Sequence, residues 1–466
     1  MASLLELSHE LLHCIFTEIE LADLSALAQT CRVLNSYIRS NRLLHKDLYT
    51  GRYDEPTTCE EEPDYEDLLH RAVRLEKLFD TEDVEAKRRH LHFVAQEIPR
   101  LVERADLQQD KSKNMQWLED AFRNPDNVDS FLCASSLFAP GRAGGNDQMA
   151  AGTEELRQAS AKLHCLYGTT VCTRSHSAGR TTHTYARSKV YDLREYTDAT
   201  RWGPFMKDGS QRVDWEKVEA IMIVLGFNLR KFTDRSDGRF PIVWRDPWVG
   251  ATPGSYKSAP RIGDPSNHLE EEEGDYKIRE LALSLDAMDP YGVTGSWMRV
   301  VCFLDYNDLY AFNFSERIPD SQPREPIDTE EAIRLIRIKL QVTRIEAPGT
   351  RNDEDETEDD GDWRSFQGER LPIVHFRGTS RSLHASWDPN ANSRIRGSVR
   401  QTPEGEIRWT TFSIFHGEER WRSEGIQVGG LKSARGVLGN WFDKDYDMHG
   451  PAGPTAFWKE SDELDE

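Results

Sequence analysis

The run IRLIRIKLQVTRI at 333–345 alternates through Ile336, Ile338, Leu340 and Val342. A period of two puts one set of side chains on a buried face and the other in water, which a helical period of 3.6 cannot do. That run commits its part of the chain to a sheet. SWMRVVCFLD (296–305) and LYAFNF (309–314) flank Tyr306-Asn307-Asp308, which reads as a hairpin turn. LPIVHFRG (371–378) reads as a further strand. SRIRGSVRQ (393–401) and EIRWTTFSIFHG (406–417) flank TPEGE (402–406), with glycine where a hairpin turn wants it. Many antiparallel strands in succession predict a closed or nearly closed β-barrel, because closure removes raw edges. One helix interrupts, VDWEKVEAIMIVLGF (213–227), with Trp215, Val218, Met222 and Leu225 on one face.

Before about residue 185 the texture is helical. YEDLLHRAVRLEKLF and DVEAKRRHLHFVAQEI read as amphipathic helices, the second ended by Pro99. NMQWLEDAF and EELRQASAKLHCLYG follow, with a loop, APGRAGGNDQ, at 139–148. The acidic stretches HLEEEEGD (268–275) and NDEDETEDDGD (352–362) read as solvated loops between strand candidates. The whole is α+β.

A net charge of -22 over 466 residues opposes binding to nucleic acid or to an anionic membrane, both of which need a basic patch. The seven cysteines are odd in number and scattered, as expected of reduced thiols in an intracellular protein. The first residues, MASLLELSHE, lack the basic flank and apolar core of a secretory signal. The sequence has no GxSxG, P-loop, GxGxxG or C-x-x-C, and His375 and His384 have no identifiable nucleophile partner. No catalytic residue and no cofactor are expected.

Residues 4–49 are short helices unusually rich in apolar side chains. Leu7, Leu11, Leu12, Ile15, Phe16 and Ile19 fall on one stripe, and Ser8 can cap the helix. So small a unit buries too little surface to stand alone, so part of its apolar surface is expected to dock on another chain. The same stretch holds His9-Glu10-Leu11-Leu12-His13, the H-E-x-x-H of zinc proteases. It continues as His13-Cys14-Ile15-Phe16-Thr17-Glu18, without the spacing that would supply a third ligand. No metal is expected there; the histidines belong to the polar side of a helix.

Leu7-Ser8-x-Glu10-Leu11-Leu12-x-x-Ile15-Phe16-x-x-Ile19, then Leu21-Ala22-Asp23-Leu24-x-x-Leu27, Cys31-Arg32-x-Leu34-Asn35 and Leu43-Leu44 resemble an F-box in order and spacing. Ser8 stands where the family has proline and Leu44 where it has tryptophan; both keep the local role. The resemblance implies a Skp-type adaptor as partner and, through it, cullin and RING subunits. It puts adaptor contacts at Leu7, Leu11, Leu12, Ile15, Phe16, Leu24, Leu27 and Leu34. Residues 185–230 and 435–459 are similar to segments of fungal-type F-box proteins. The second also resembles the G-x-W-x…H-G-P-x-G-P-x-x-F run of an F-box-only group with a C-terminal β-barrel that recognises short C-terminal signals on its clients.

The division expected is an F-box at 1–50, an acidic hinge at 51–66 and a helical linker at 67–180. A β-rich substrate-recognition domain at 181–460 and an acidic tail at 461–466 follow. The function implied is that of a substrate receptor in an SCF-type cullin-RING ubiquitin ligase. Trp441, Phe442, His449, Phe457, Trp458 and Arg377 are the candidates for contact with an unknown client protein. The rings flanking His449-Gly450-Pro451-Ala452-Gly453-Pro454 equally suit a plug for the barrel end, and the arginines at 377, 381, 394, 396 and 400 equally suit the outer face of strands. The alternatives are an F-box adaptor outside a ligase, a lipocalin-like small-molecule binder, and a zinc hydrolase.

Overall fold

The computed structural model describes residues 4–39, 41–56, 63–108, 112–138, 152–171, 182–235, 244–256, 285–320, 322–348, 370–383 and 392–464. The loop at 139–148, the acidic stretches at 268–275 and 352–362, and His384 lie outside them. The chain falls into two compact units, Met1–Leu132 and Cys133–Glu466. The boundary lies inside the section read as a helical linker, so the helices after it belong with the sheet. No helix among the described residues is long and apolar enough to cross a membrane.

The first unit is all helical: α1 (His9–Thr17), α2 (Leu21–Thr30), α3 (Arg32–Ile38), α4 (Arg42–Arg52), α5 (Tyr65–Asp80), α6 (Val84–Arg89), α7 (Leu91–Glu103), α8 (Lys113–Ala121) and α9 (Pro125–Leu132). Phe79 anchors its aromatic core against Phe131, Phe122 and Trp117, with ring centroids 4.8 to 5.2 Å away. The stretch read as a hinge opens on pinned residues. The buried Asp54 carboxylate accepts from the backbone of Asp106 and Lys113 at 3.0 and 2.9 Å, and from the Ser112 hydroxyl. Helix α7 does not stop at Pro99 but runs four residues further. The one hydrogen bond proline forfeits is offset by burial of Ile98, Leu101 and Val102 around it.

The second unit is a barrel with a helical coat. The strands are β1 (Gly295–Phe303), β2 (Ala332–Glu346), β3 (Ile373–Ser382), β4 (Asn392–Gln401), β5 (Ile407–Phe415), β6 (Glu418–Gln427), β7 (Val437–Asp443) and β8 (Ala452–Ser461). Each pairs antiparallel with the next, and β8 pairs with β1, closing the barrel. The expected alternation is there: Ile338, Leu340 and Val342 point inward with Val374, Phe376, Ile395, Val399 and Ile407. Trp297, Trp409 and Phe457 meet edge to face, with centroids 5.1 to 5.8 Å apart, and floor one end of the lumen. Phe376 lies over Gly397, where any side chain would collide with its ring. TPEGE is the β4–β5 turn, and Gly405 takes the positive φ of +85° that glycine tolerates best.

Helices α10 (Glu154–Tyr167), α11 (Thr182–Tyr191) and α12 (Trp215–Arg235) coat the outside, α12 lying on β7 and β8. The sequence marks one apolar face on α12; the structure buries it nearly all round, between barrel and helices. The cost of its polar groups is met by partners. Lys217 donates to the carbonyls of Lys189 and Val190 at 2.8 and 3.2 Å. The buried Glu331 accepts from Arg187, Tyr191 and Asn228 at 2.8, 2.6 and 2.8 Å.

His183 stacks on Phe227, centroids 3.9 Å apart. Burial, helped by the Arg187 charge, pushes its pKa down to about 4. The unfolded imidazole titrates near ~6.5, so the unfolded chain takes up a proton that the folded ring refuses. Stability is therefore lost as pH falls through the window from roughly 6.5 to 4. In urea titrations across that window the midpoint of the wild type should fall, and that of His183→Phe should fall less. Parallel declines would refute the assignment.

Candidate functional site

Helix α1 starts where Ser8 accepts a hydrogen bond from the Leu11 amide at 3.4 Å. Its apolar stripe is wider than the core beneath it. Leu12 and Phe16 are buried, while Leu11 is 53% exposed and Ile15 41%. Leu24, Leu34 and Leu44 are also buried, Leu44 filling the inward position; Leu7 and Leu27 are half-buried. Leu4, Val33 and Leu43 stand out in water with Leu11 and Ile15. So many exposed apolar side chains within so short a segment are uncommon on the surface of a protein that stands alone. The two histidines of H-E-x-x-H are engaged elsewhere: His9 lies edge-on to Tyr37, and His13 pairs with Asp47 at 2.8 Å. Among the described residues no group of three His, Cys, Asp or Glu side chains could hold a metal ion.

The other surface lies at the barrel end where β7 turns into β8. The segment Tyr306–Phe314 is a helix, α13, and not the second arm of a hairpin. Asp305 caps it by accepting from Asn307 N at 2.9 Å, so the turn-like residues at its start serve as a helix start. Tyr306, Tyr310 and Phe314 recur every four residues and are exposed, while Leu309 and Asn313 face inward. His449, in the β7–β8 loop, packs on Phe314 and Tyr310 with centroids 4.7 and 6.3 Å away. Met448 beside it is 70% exposed. A cleft of about 230 Å³ is lined here by Phe314, Met448, Pro451, Tyr196 and Phe442.

A family model described as F-box domain matches residues 4–46. Residues 4–46 are an F-box. No curated protein and no solved structure matches the chain. The eight F-box positions marked in the sequence separate by burial, with Leu7 and Leu27 in between. Leu12, Phe16, Leu24 and Leu34 hold the F-box helices together, and Leu11 and Ile15 face outward. Val33, also exposed, was not marked, because a seven-residue helix shows too little of its period to reveal which side is dry.

The loop residues separate in the same way. Trp441, Phe442, Phe457 and Trp458 are all buried. Phe457 is part of the barrel floor, Trp441 donates its indole N–H to the Cys302 carbonyl at 3.1 Å, Phe442 packs on Trp202, and Trp458 meets Trp244 outside the barrel. Phe457 and Trp441 face the lumen, whereas Phe442 and Trp458 pack against the outside of the barrel wall; of the six client candidates, His449 and Arg377 are at the surface. Arg377 is exposed on the outer face of β3, opposite Arg396. Arg337, Lys339, Arg381 and Arg394 share that outer face and line a cleft of about 1410 Å³ together with Glu460, which pairs with Arg337 at 3.7 Å, and Glu463. Arg400 is buried, and His375 pairs with Glu346 at 2.8 Å.

Proposed function

We propose that this protein is the substrate-receptor subunit of an SCF-type cullin-RING ubiquitin ligase. The observation that carries the reading is the F-box at 4–46 with Leu11 and Ile15 turned to water. F-box domains generally bind Skp-type adaptors, and F-box proteins are generally non-catalytic. Leu11 and Ile15, with Val33 and Leu43 beside them in the sequence of the F-box, dock on the adaptor, which brings cullin and RING subunits. The buried positions Leu12, Phe16, Leu24 and Leu34 act by shaping that surface. The second unit holds an intracellular client. Its contact surface is the patch of Tyr306, Tyr310, Phe314, His449 and Met448, with Arg377 and the basic outer face of β2–β4 available to acidic segments. The rate gain comes from holding client lysines near the loaded conjugating enzyme, a proximity effect that needs no side-chain chemistry here.

Leu11→Asp combined with Ile15→Asp is the test, because both side chains are exposed and the fold does not depend on them. Burying each apolar side chain is worth ~1.5–3 kcal/mol. The double variant should therefore bind a purified Skp-type adaptor at least about a hundredfold more weakly, with an unchanged circular dichroism spectrum. Equal affinity would overturn the reading. Adaptor binding without recruitment of cullin and RING would favour an F-box protein working outside a ligase.

A further inference from the structure

The inner face of the barrel changes character along its axis. Above the floor of Trp297, Trp409 and Phe457 it carries Ser380, Ser393, Thr411, Ser423 and Thr455. On β1, Arg299 lies opposite Ile336 of β2 and Phe457 of β8. Directly opposed residues share a face, and Phe457 is inside, so Arg299 enters the lumen. It is 6% exposed. Its Nε donates to the Thr455 hydroxyl at 3.0 Å; that hydroxyl in turn donates to the Val300 carbonyl at 2.8 Å. Among the described residues, Nη1 and Nη2 have no hydrogen-bond or ion-pair partner. Burial alone lowers the pKa of this arginine, to about 10, with no neighbouring charge of either sign contributing.

Four other buried arginines of this unit are paired with carboxylates. Arg187 pairs with Glu331 at 2.8 Å, Arg324 with Asp192 at 3.2 Å, and Arg408 and Arg422 with Glu424 at 2.7 and 2.6 Å. Arg435 donates through Nη2 to the carbonyls of Leu166 and Tyr167 at 3.4 and 2.8 Å, while its Nε and Nη1 have no hydrogen-bond partner among the described residues. A guanidinium keeps its proton at any ordinary pH, so it cannot escape burial by becoming neutral. Left alone in a low-dielectric lumen it is strongly unfavourable, and the favourable completion is an anion.

We propose that the hydroxyl-lined part of the barrel lumen binds a small organic monocarboxylate, anchored by the Arg299 guanidinium. The two free Nη groups form the fork that a planar carboxylate matches with two parallel hydrogen bonds. One cation without a second nearby selects a single negative charge; a phosphate dianion would leave one charge buried and uncompensated. Ile336 and Phe457 at the same level accept a short apolar chain; the hydroxyls pair with each other, Ser380 with Ser393 at 2.6 Å and Thr411 with Ser423, and keep lone pairs for polar substituents. The site is inside the barrel and does not depend on adaptor docking.

The test uses the full chain with acetate and butyrate as probes, and sulfate and phosphate at equal ionic strength as controls. Thermal unfolding and calorimetry should show a saturable rise in melting temperature and heat of binding for the carboxylates alone. Arg299→Met should lose the response, with affinity down at least about tenfold, as expected for losing a charge-assisted pair. If the methionine variant does not fold, Arg299→Gln, which keeps the polar end and removes the charge, is read the same way. No carboxylate response in the wild type, an equal response in the variant, or a response shared by sulfate overturns the proposal.

Discussion

Glu424→Ala should unfold the second unit at markedly lower urea than the wild type. The Glu424 carboxylate is fully buried and serves two buried guanidiniums. Oε2 accepts from Arg408 Nε at 2.7 Å and from Thr410 at 3.0 Å; Oε1 accepts from Arg422 at 2.9 and 2.6 Å. Removing one partner of a buried pair costs about 3–5 kcal/mol, because the remaining charge stays dry and unpaired. Here two charges are orphaned at once. Glu424→Gln keeps the shape and some of the hydrogen bonds, and should fall between the wild type and the alanine variant. Urea denaturation at neutral pH, followed by tryptophan fluorescence, measures both. A loss under about 1 kcal/mol for alanine would mean that water replaces the carboxylate and that the outer face of β5 and β6 is not dry.

Trp409→Ala should produce a comparable loss by a different mechanism. Trp409 touches Trp297, Phe376 and Phe457, with centroids 5.1 to 5.6 Å away, and donates its indole N–H to the buried Gln427 at 3.0 Å. Truncating such a ring costs ~3–5 kcal/mol, the lost transfer energy plus the cavity left behind. Trp409→Phe retains most of the contact but strands the Gln427 oxygen, so its loss should be about 1–3 kcal/mol. Equal losses for the two variants would locate the stabilisation in the hydrogen bond and not in the ring packing.

Much of the plan was legible beforehand because periodicity survives whatever the surroundings. The stripe from Leu7 to Ile19, with its continuation to Leu44, named the F-box before any helix was placed. The two-residue alternation at 336–342 and the glycine of TPEGE placed strands and a turn of the barrel. The segment at 306–314 was misread because Tyr-Asn-Asp suits a turn and a helix start equally, and alternating aromatics over six residues fit both periods. Burial was legible only where one face is polar. The strand at 296–303 is apolar on both sides, since helices coat it outside and the lumen lies within. Nothing in its letters tells which side Arg299 enters.

The sequence by itself determined most of the helices and strands, where the F-box sits, and that the sheet should close. Those depend on local spacing and on the need to hide apolar surface. Only the tertiary structure decided which members of each apolar stripe remain outside, because that depends on how far the neighbouring element covers the stripe. It separated Leu11 and Ile15 from Leu12 and Phe16, and consigned Trp441, Phe442, Phe457 and Trp458 to the interior. Among the described residues it also left Arg299 inside the barrel without a carboxylate partner. An ion pair is made by groups distant in the chain, so its absence, like its presence, exists only once the strands have closed.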